Sequence, residues 1–395
     1  MGEPSEQCVP RSVKAMPMRV KAPQVESATA SQRLISLDLL RGLTVVGMIL
    51  VNEMAGMQSA GPVYPTLLHE SWDGLHFADV VFPAFLLMVG ISIPLSMRGA
   101  AVDPRDEYPR IFWRAARLIL LGWLLSNMWW FMHFHSTSWR LFGVLQRIGI
   151  VYAVCALMFF RLTPRVRLFV AAGILILYWP LTLVPALDGL PNDIWLKGHN
   201  FIGSVDRVLL GAGNHNYVKG PEGYDPEGLL GTLPAIAQGL IGMAIGEHLL
   251  RGSNRAHQRM LAVAGGAMLI VGLLWGLVFP IVKDIWSSSF VLVTSGIAAL
   301  VLAALSYAFD GHPDSRARAM LAVIALPFGI NAIAAYVLHE VAGGMLGWDL
   351  LKQPYLTLVP QLGTELAAFV PVGLFIAFVW LCMFYLWRKK WLIRI

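Results

Sequence analysis

Apolar residues run through this chain in ten blocks of about 18 or more. They lie near 35–56, 76–97, 111–131, 142–160, 168–186, 230–250, 260–281, 288–308, 319–341 and 364–387. Each block is long enough to cross a hydrocarbon core of ~30 Å as a helix. Backbone amides left unpaired in lipid are costly, so a helix is the form the chain must take there. The pattern predicts an all-α polytopic bundle of about ten spanning helices. Residues 1–33 are polar and basic and read as a disordered cytoplasmic tail, with residues 34–395 as one membrane domain. The tail has no apolar core of a cleavable signal peptide, so the first spanning block is expected to act as its own signal.

Composition agrees with the pattern. Hydrophobic residues make up 57% and charged residues 14% of the chain, against about 25% charged in soluble domains. The net charge of +6 does not point to nucleic acid. Arg140, Lys197, Arg207, Lys219, Lys283 and Lys352 occupy one set of alternate connections. Most other Lys and Arg crowd into the tail, the 98–117, 161–167, 251–259 and 316–318 connections and the C-terminus. This asymmetry predicts that both termini are cytoplasmic and that the protein's charge reports its orientation in the bilayer. Cys8, Cys155 and Cys382 form no disulfide framework. The HFH stretch (His133 to His135) has no further ligand at fixed spacing, so no metal is expected. No Walker loop or dinucleotide glycine motif is present.

Polar residues inside a bilayer are costly and mark cavities or helix contacts. With the expected orientation, Asn52 and Glu53 sit near the outer end of the first block, and Asp79 near the outer end of the second. Gln146 and Arg147 are shallow in the fourth; Asn331, His339 and Glu340 end the ninth at the same level. A long connection at 187–229, rich in Gly, Pro, Asn and Asp and without evident secondary structure, faces the same side. It carries Tyr224, Asp225 and Glu227. Such convergence is what an active-site cavity requires.

His69 is the candidate general base, because an unperturbed imidazole pKa of about 6.5 lets it take and return a proton near neutrality. A nucleophilic role, carrying an acyl group, is the second route. Asn52 either donates to a developing oxyanion or bonds a neighbouring helix. Asp79 either orients His69 or pairs with Arg147. On one straight helix, ten residues would separate His69 from Asp79 by about 15 Å, so contact needs a turn, which SWDG (Ser71 to Gly74) supplies. Asp38 and Arg41 are three apart and can neutralise each other. Arg41 with Arg114 and Arg117 can bind a phosphate-bearing cytoplasmic ligand; simple positive-inside anchoring is the alternative for the latter two.

The block HESWDGLHFADVVFPAFLLMVGISIPLSM (His69 to Met97) resembles the catalytic block of the heparan-α-glucosaminide N-acetyltransferase family. The resemblance continues in RLISLDLLRGLTVVGMILVNEMAG (Arg33 to Gly56), GVLQRIGIVY (Gly143 to Tyr152), YDPEGLLGTLPAI (Tyr224 to Ile236) and GINAIAAYVLHEV (Gly329 to Val341). It implies a membrane acetyltransferase with acetyl-CoA as donor and an amino sugar as acceptor. His69, Asn52 and Asp79 would be catalytic, and Arg41, Arg114, Arg117 and Arg147 would hold the donor. Tyr224, Asp225, Glu227, His339 and Glu340 would line the acceptor site. The loop between Asn52 and His69 is longer here than in the family. The family's dimers imply a homodimer. Without the long lumenal region of lysosomal members, a compact bacterial enzyme of the inner membrane is the expectation. N- and O-acetylation both stay open. The competing class is a transporter or flippase for a sugar or lipid-linked substrate, against which the outer position of the polar groups and the lack of visible inverted repeats argue.

Overall fold

The computed structural model describes residues 34–97, 104–132, 139–211, 215–251, 254–310 and 316–393. In chain order the helices are α1 (Ile35–Met57), α2 (Phe77–Met97), α3 (Pro104–Ser126), α4 (Met128–Met132), α5 (Val144–Arg161), α6 (Pro164–Thr182) and α7 (Phe201–Leu210). They continue as α8 (Thr232–Leu249), α9 (Asn254–Gly276), α10 (Ser288–Phe309), α11 (Arg316–Ile330), α12 (Ala332–Leu362) and α13 (Thr364–Arg388). Among the described residues no strand forms beyond one isolated bridge between Asp73 and Val282. The chain is an all-α membrane bundle.

Seven helices, α1, α2, α5, α6, α9, α10 and α13, are long and apolar enough to span. The segments Met320–Ile330 and Ala332–Met345, bent by 79° about Asn331, make an eighth if they act as one span. Fewer helices meet this length and apolarity than the ten apolar blocks of the sequence, because α3 and α8 are more polar. Arg110, Arg114 and Arg117 load α3 with charge, and Gln238, Glu247 and His248 lower the hydropathy of α8. The greater part of α8 is buried among other helices, so it need not be as apolar as a lipid-facing helix.

Two further expectations change. The 187–229 connection is built around α7. Asn200 starts that helix by accepting the Gly203 N–H at its Oδ1 (2.8 Å), and Asn200, Ser204, Asp206 and Arg207 are all buried. The stretch after residue 341 does not leave the helix; α12 runs on to Leu362 and stops at Gly363, whose φ of 76° suits glycine.

Backbones pack closely where side chains vanish. A Cβ on Gly90 of α2 would lie 2.1 Å from the Gly239 carbonyl oxygen of α8. One on Gly42 of α1 would lie 2.0 Å from the Ala325 carbonyl oxygen of α11. Lipid offers no hydrophobic drive between helices, so such approaches carry association. One apolar core joins α2, α3, α5, α6, α8 and α10 around Leu86, Val151, Leu240 and Phe290. Another joins α1, α11, α12 and α13 around Ile49, Phe328, Ala335 and Phe375.

At one end of the bundle the connections lock together. Trp72 Nε1 donates to the Ile194 carbonyl (2.9 Å), Gly74 N to the Ile281 carbonyl (3.1 Å), and Tyr224 Oη to Asp284 Oδ2 (2.5 Å). At the other end Ser36 Oγ donates to Asp310 Oδ2 (2.5 Å) and Arg161 Nε to Tyr108 Oη (2.7 Å).

Gly42→Val should destabilise the protein by about 1–3 kcal/mol through overpacking against α11. A lower thermal midpoint of the detergent-solubilised protein, with Gly173→Ala (where nothing lies near a new Cβ) as control, checks this.

Candidate active site

The first turn of α2 places Asp79, 1% exposed, beside unpaired helix-terminal amides, where a negative charge is favoured. Its Oδ2 accepts the backbone N–H groups of Glu70 and His76, both at 3.0 Å. Those two bonds fold the SWDG turn back onto the helix and bring His69 against the same carboxylate. His69 Nδ1 lies 2.8 Å from Asp79 Oδ1. Lys283 Nζ, from the connection before α10, lies 2.9 Å from the same Nδ1 and 3.6 Å from Asp79 Oδ1. A carboxylate can only accept and an ammonium can only donate, so Asp79 and Lys283 compete for one ring nitrogen. When Nδ1 donates to Asp79, Nε2 keeps its lone pair, the state a base or nucleophile requires. The His69 side chain is 46% exposed, against 1% for Asp79.

Lys283 is held by a strained turn. Trp286 has a φ of 55°, unusual for a bulky side chain, and is completely buried. Its N–H donates to the Lys283 carbonyl (2.9 Å) and its Nε1 to Gln238 Oε1 (3.1 Å). Tyr178 Oη donates to the Ile285 carbonyl (2.7 Å), and Asp73 Oδ1 accepts the Ile281 N–H (2.9 Å), tying this connection to the His69 turn.

His69 opens on a cavity of about 700 Å³. Its walls include Asn52 and Glu53 of α1, Phe82 and Phe85 of α2, Ile148 of α5, and Tyr336, His339 and Glu340 of α12. Asn52 reaches the cavity wall from α1. Glu53 is wholly buried, and neither of its carboxylate oxygens has a hydrogen-bond partner. His339 Nε2 stands 3.3 Å from Glu53 Oε1, and His339 Nδ1 stands 3.8 Å from Glu340 Oε1.

The remaining wall is a charged cluster. Arg140 donates from Nε to Asp225 Oδ2 (3.0 Å) and from Nη2 to Asp225 Oδ1 (2.9 Å) and Glu227 Oε2 (2.5 Å). Its burial opposes the charge, but Glu227 and Asp225 outweigh it and hold the guanidinium pKa above its ordinary value. Asp206 caps the Asp225–Leu229 turn by accepting the Leu229 N–H (3.2 Å), and burial pushes its pKa up to about 7.

A family description, "Heparan-alpha-glucosaminide N-acetyltransferase, catalytic", matches residues 33–210. The human protein named heparan-alpha-glucosaminide N-acetyltransferase is 28% identical over 367 residues, covering 78% of this chain and 53% of its own length. The mouse protein of that name is 28% identical over 372 residues, covering 79% and 54%. Residues 33–210 are thus similar to the catalytic region of the heparan-alpha-glucosaminide N-acetyltransferase family. The chain spans about half the length of the curated relatives it matches. The matched family segment contains Asn52, His69, Asp79 and Arg140, whereas Glu227, Lys283, His339 and Glu340 lie beyond it.

In this chain His69, Asn52, Glu227, His339 and Glu340 line one cavity, and Asp79 stands behind His69. Asp225 braces Arg140, and Tyr224 is buried against Asp284, so neither belongs to the cavity wall. The pairing of Asp79 with Arg147 does not form. Arg147 is buried over the Trp286 ring at 4.8 Å and donates from Nη2 to the Gly228 carbonyl (3.3 Å), because the acidic 225–227 turn and the indole face together attract it. The arginine group expected at the donor end is not gathered into the cavity. Arg41 donates to Asp38 and Ser92, both at 3.0 Å, Arg114 covers the Tyr152 ring at 4.6 Å, and Arg117 Nε donates to the Trp113 carbonyl (3.4 Å). Asn331 leaves the layer of His339 and binds the C-terminal residues, donating to the Trp391 carbonyl (3.1 Å) and accepting the Ile393 N–H (3.0 Å). His133 and His135 lie outside the described residues.

Lys283, Arg140 and Glu53 are among the charged wall residues that sequence reasoning did not assign to the site. The first two are among the few basic residues on their side of the bundle, and that scarcity is the signal that could have found them.

Asp206 gives a test of the charged cluster. Its folded pKa of about 7 exceeds the unfolded value of about 3.9, so the fold loses stability as pH rises from about 4 to 7 and no further above. Asp206→Asn should flatten that part of the curve of thermal midpoint against pH while leaving other slopes in place.

Proposed function

We propose that this chain is a membrane acetyltransferase that transfers the acetyl group of acetyl-CoA to the amine of a glucosamine-like acceptor. The observation that carries the reading is the His69–Asp79 pair opening on a cavity walled by helices from both apolar cores. The volume lies in the range of small-molecule sites, roughly 300–1,000 Å³.

In the direct route the neutral acceptor amine attacks the thioester carbonyl. A carbon–nitrogen bond forms, the tetrahedral oxyanion is met by the Asn52 amide, and His69 Nε2 takes the amine proton. Collapse breaks the carbon–sulfur bond, and the thiolate leaves as CoA–SH with that proton. In the alternative route Nε2 itself attacks the thioester and passes the acetyl group on. Asp79 serves both routes, since an imidazole donating from Nδ1 has its Nε2 lone pair free. The names of the human and mouse relatives support the N-acetyl chemistry.

The donor is expected from the end of the bundle that carries Arg41, and the acceptor from the end that carries His69. Thr44, a cavity-wall residue, is three residues, about one turn, along α1 from Arg41. The cavity therefore follows α1 for about 13 Å between Thr44 and Glu53. The Lys and Arg distribution supports a cytoplasmic donor end.

Transfer of radiolabelled acetyl from acetyl-CoA to glucosamine by the detergent-purified protein tests the reading. His69→Ala should reduce transfer by about 10²–10⁴-fold, the usual worth of a positioned base. Absence of transfer by intact native protein would reject it.

Asp79→Asn should also lower kcat by about 10²-fold or more, because an amide can donate to Nδ1 and favour the wrong tautomer. An unchanged kcat would remove Asp79 from the mechanism. Acid-stable label on His69 after a rapid quench would select the acetyl-imidazole route.

A further inference from the structure

Glu53 presents a carboxylate with no chemistry assigned to it. It lies on α1 next to Asn52, is wholly buried, lines the cavity, and has two oxygens without a hydrogen-bond partner. A carboxylate in such a place is costly unless a cation or a strong donor reaches it. His339 Nε2 approaches Oε1 to 3.3 Å outside hydrogen-bond geometry, and His339 Nδ1 is also without a partner. Glu340 follows on the same wall. Gly343 lets α12 approach the carboxylate closely, for a Cβ there would crowd Glu53 Oε1 at 3.3 Å. From α12, the His339 imidazole and the Gly343 backbone stand beside Glu53, and Glu340 lines the same cavity with Tyr336.

We propose that Glu53, with His339 and Glu340, forms an ammonium seat that selects an amine-bearing acceptor over its hydroxyl counterpart. This deepens the acetyltransferase reading and rests on it for the identity of the ligand. An amino sugar near neutral pH carries an ammonium group with three donors and one charge. Glu53 offers two acceptors and the opposite charge, and Glu340 adds further negative charge. A neutral sugar hydroxyl would leave the buried carboxylate unmatched. The ammonium must lose a proton before its lone pair can attack. Glu53 is placed to receive that first proton, with His339 beside it, and the second, released as the amide forms, goes to His69. Glu53 thus holds and primes the nitrogen without contacting the thioester.

The test is equilibrium binding to the full-length protein in detergent at about pH 6.5, where the amine is an ammonium. Native protein should bind glucosamine at least tenfold more tightly than glucose. Glu53→Gln should weaken glucosamine by about 10–100-fold, as loss of a charge-assisted bond does, while leaving glucose and acetyl-CoA binding unchanged. In turnover, the loss should fall on KM for glucosamine and spare KM for acetyl-CoA. Equal binding of glucosamine and glucose by the native protein would overturn the proposal, and that comparison needs no variant. A folded Glu53→Gln protein with native glucosamine affinity would overturn it as well. Selective glucosamine binding without acetyl transfer would leave the seat standing and remove the transferase reading. Transfer with glucose competing as well as glucosamine would do the reverse.

Discussion

The buried carboxylate of Asp79 is the constraint on which the site depends. A charge so little exposed survives because two backbone amides, an imidazole and an ammonium converge on it. Each of those partners fixes a different part of the chain. The amides of Glu70 and His76 close the turn before α2, the imidazole sets the direction of His69, and the ammonium draws in the connection before α10. Neutralising Asp79 would loosen the turn, the ring and the Lys283 side chain together, since this one carboxylate is bonded to all three.

A second constraint keeps Lys283 in reach. Its turn ends in Trp286, whose left-handed backbone is tolerated because the indole is enclosed by Phe82, Phe290 and the Arg147 guanidinium. Centroid separations of 5.1 Å and edge-to-face angles near 70° are favourable aromatic geometry. Packing in the interior of the bundle therefore holds a backbone conformation whose consequence appears at the cavity mouth. The same indole donates to Gln238 on α8, whose Nε2 reaches Thr294 and Ser295 on α10. Polar positions in otherwise apolar helices act here as registers between helices.

Much of this was legible from the chain, and the reasons for the rest are physical. Apolar runs report burial or lipid contact without separating them, so α8, enclosed by protein, reads like the lipid-facing helices although its hydropathy is lower. Turn residues in 187–229 concealed α7, whose ten residues are too few to stand out by periodicity among glycines and asparagines. His69 and Asp79 were readable together because they share one short stretch with a turn between them. Lys283 is 214 residues from His69, and a contact at that separation leaves no local pattern. The partner of Arg147 differs from the one expected, since an arginine near several carboxylates cannot be assigned by depth alone. Arg147 goes to the indole and the 225–228 turn.

The two apolar cores explain why a cavity exists at all. Helices α2, α5 and α8 are bound to one core and α1, α12 and α13 to the other. Where α1 meets α2, Gly47 approaches the Phe77 ring, whereas further along the same helix Asn52 and Glu53 line the cavity. Volume is left there because neither residue can be covered by apolar side chains without stranding a polar group. A close-packed interior tolerates such a gap only if polar walls and a ligand or water fill it. The seam between the cores is thus the place where this bundle can admit a polar reactant, and His69 stands at its mouth.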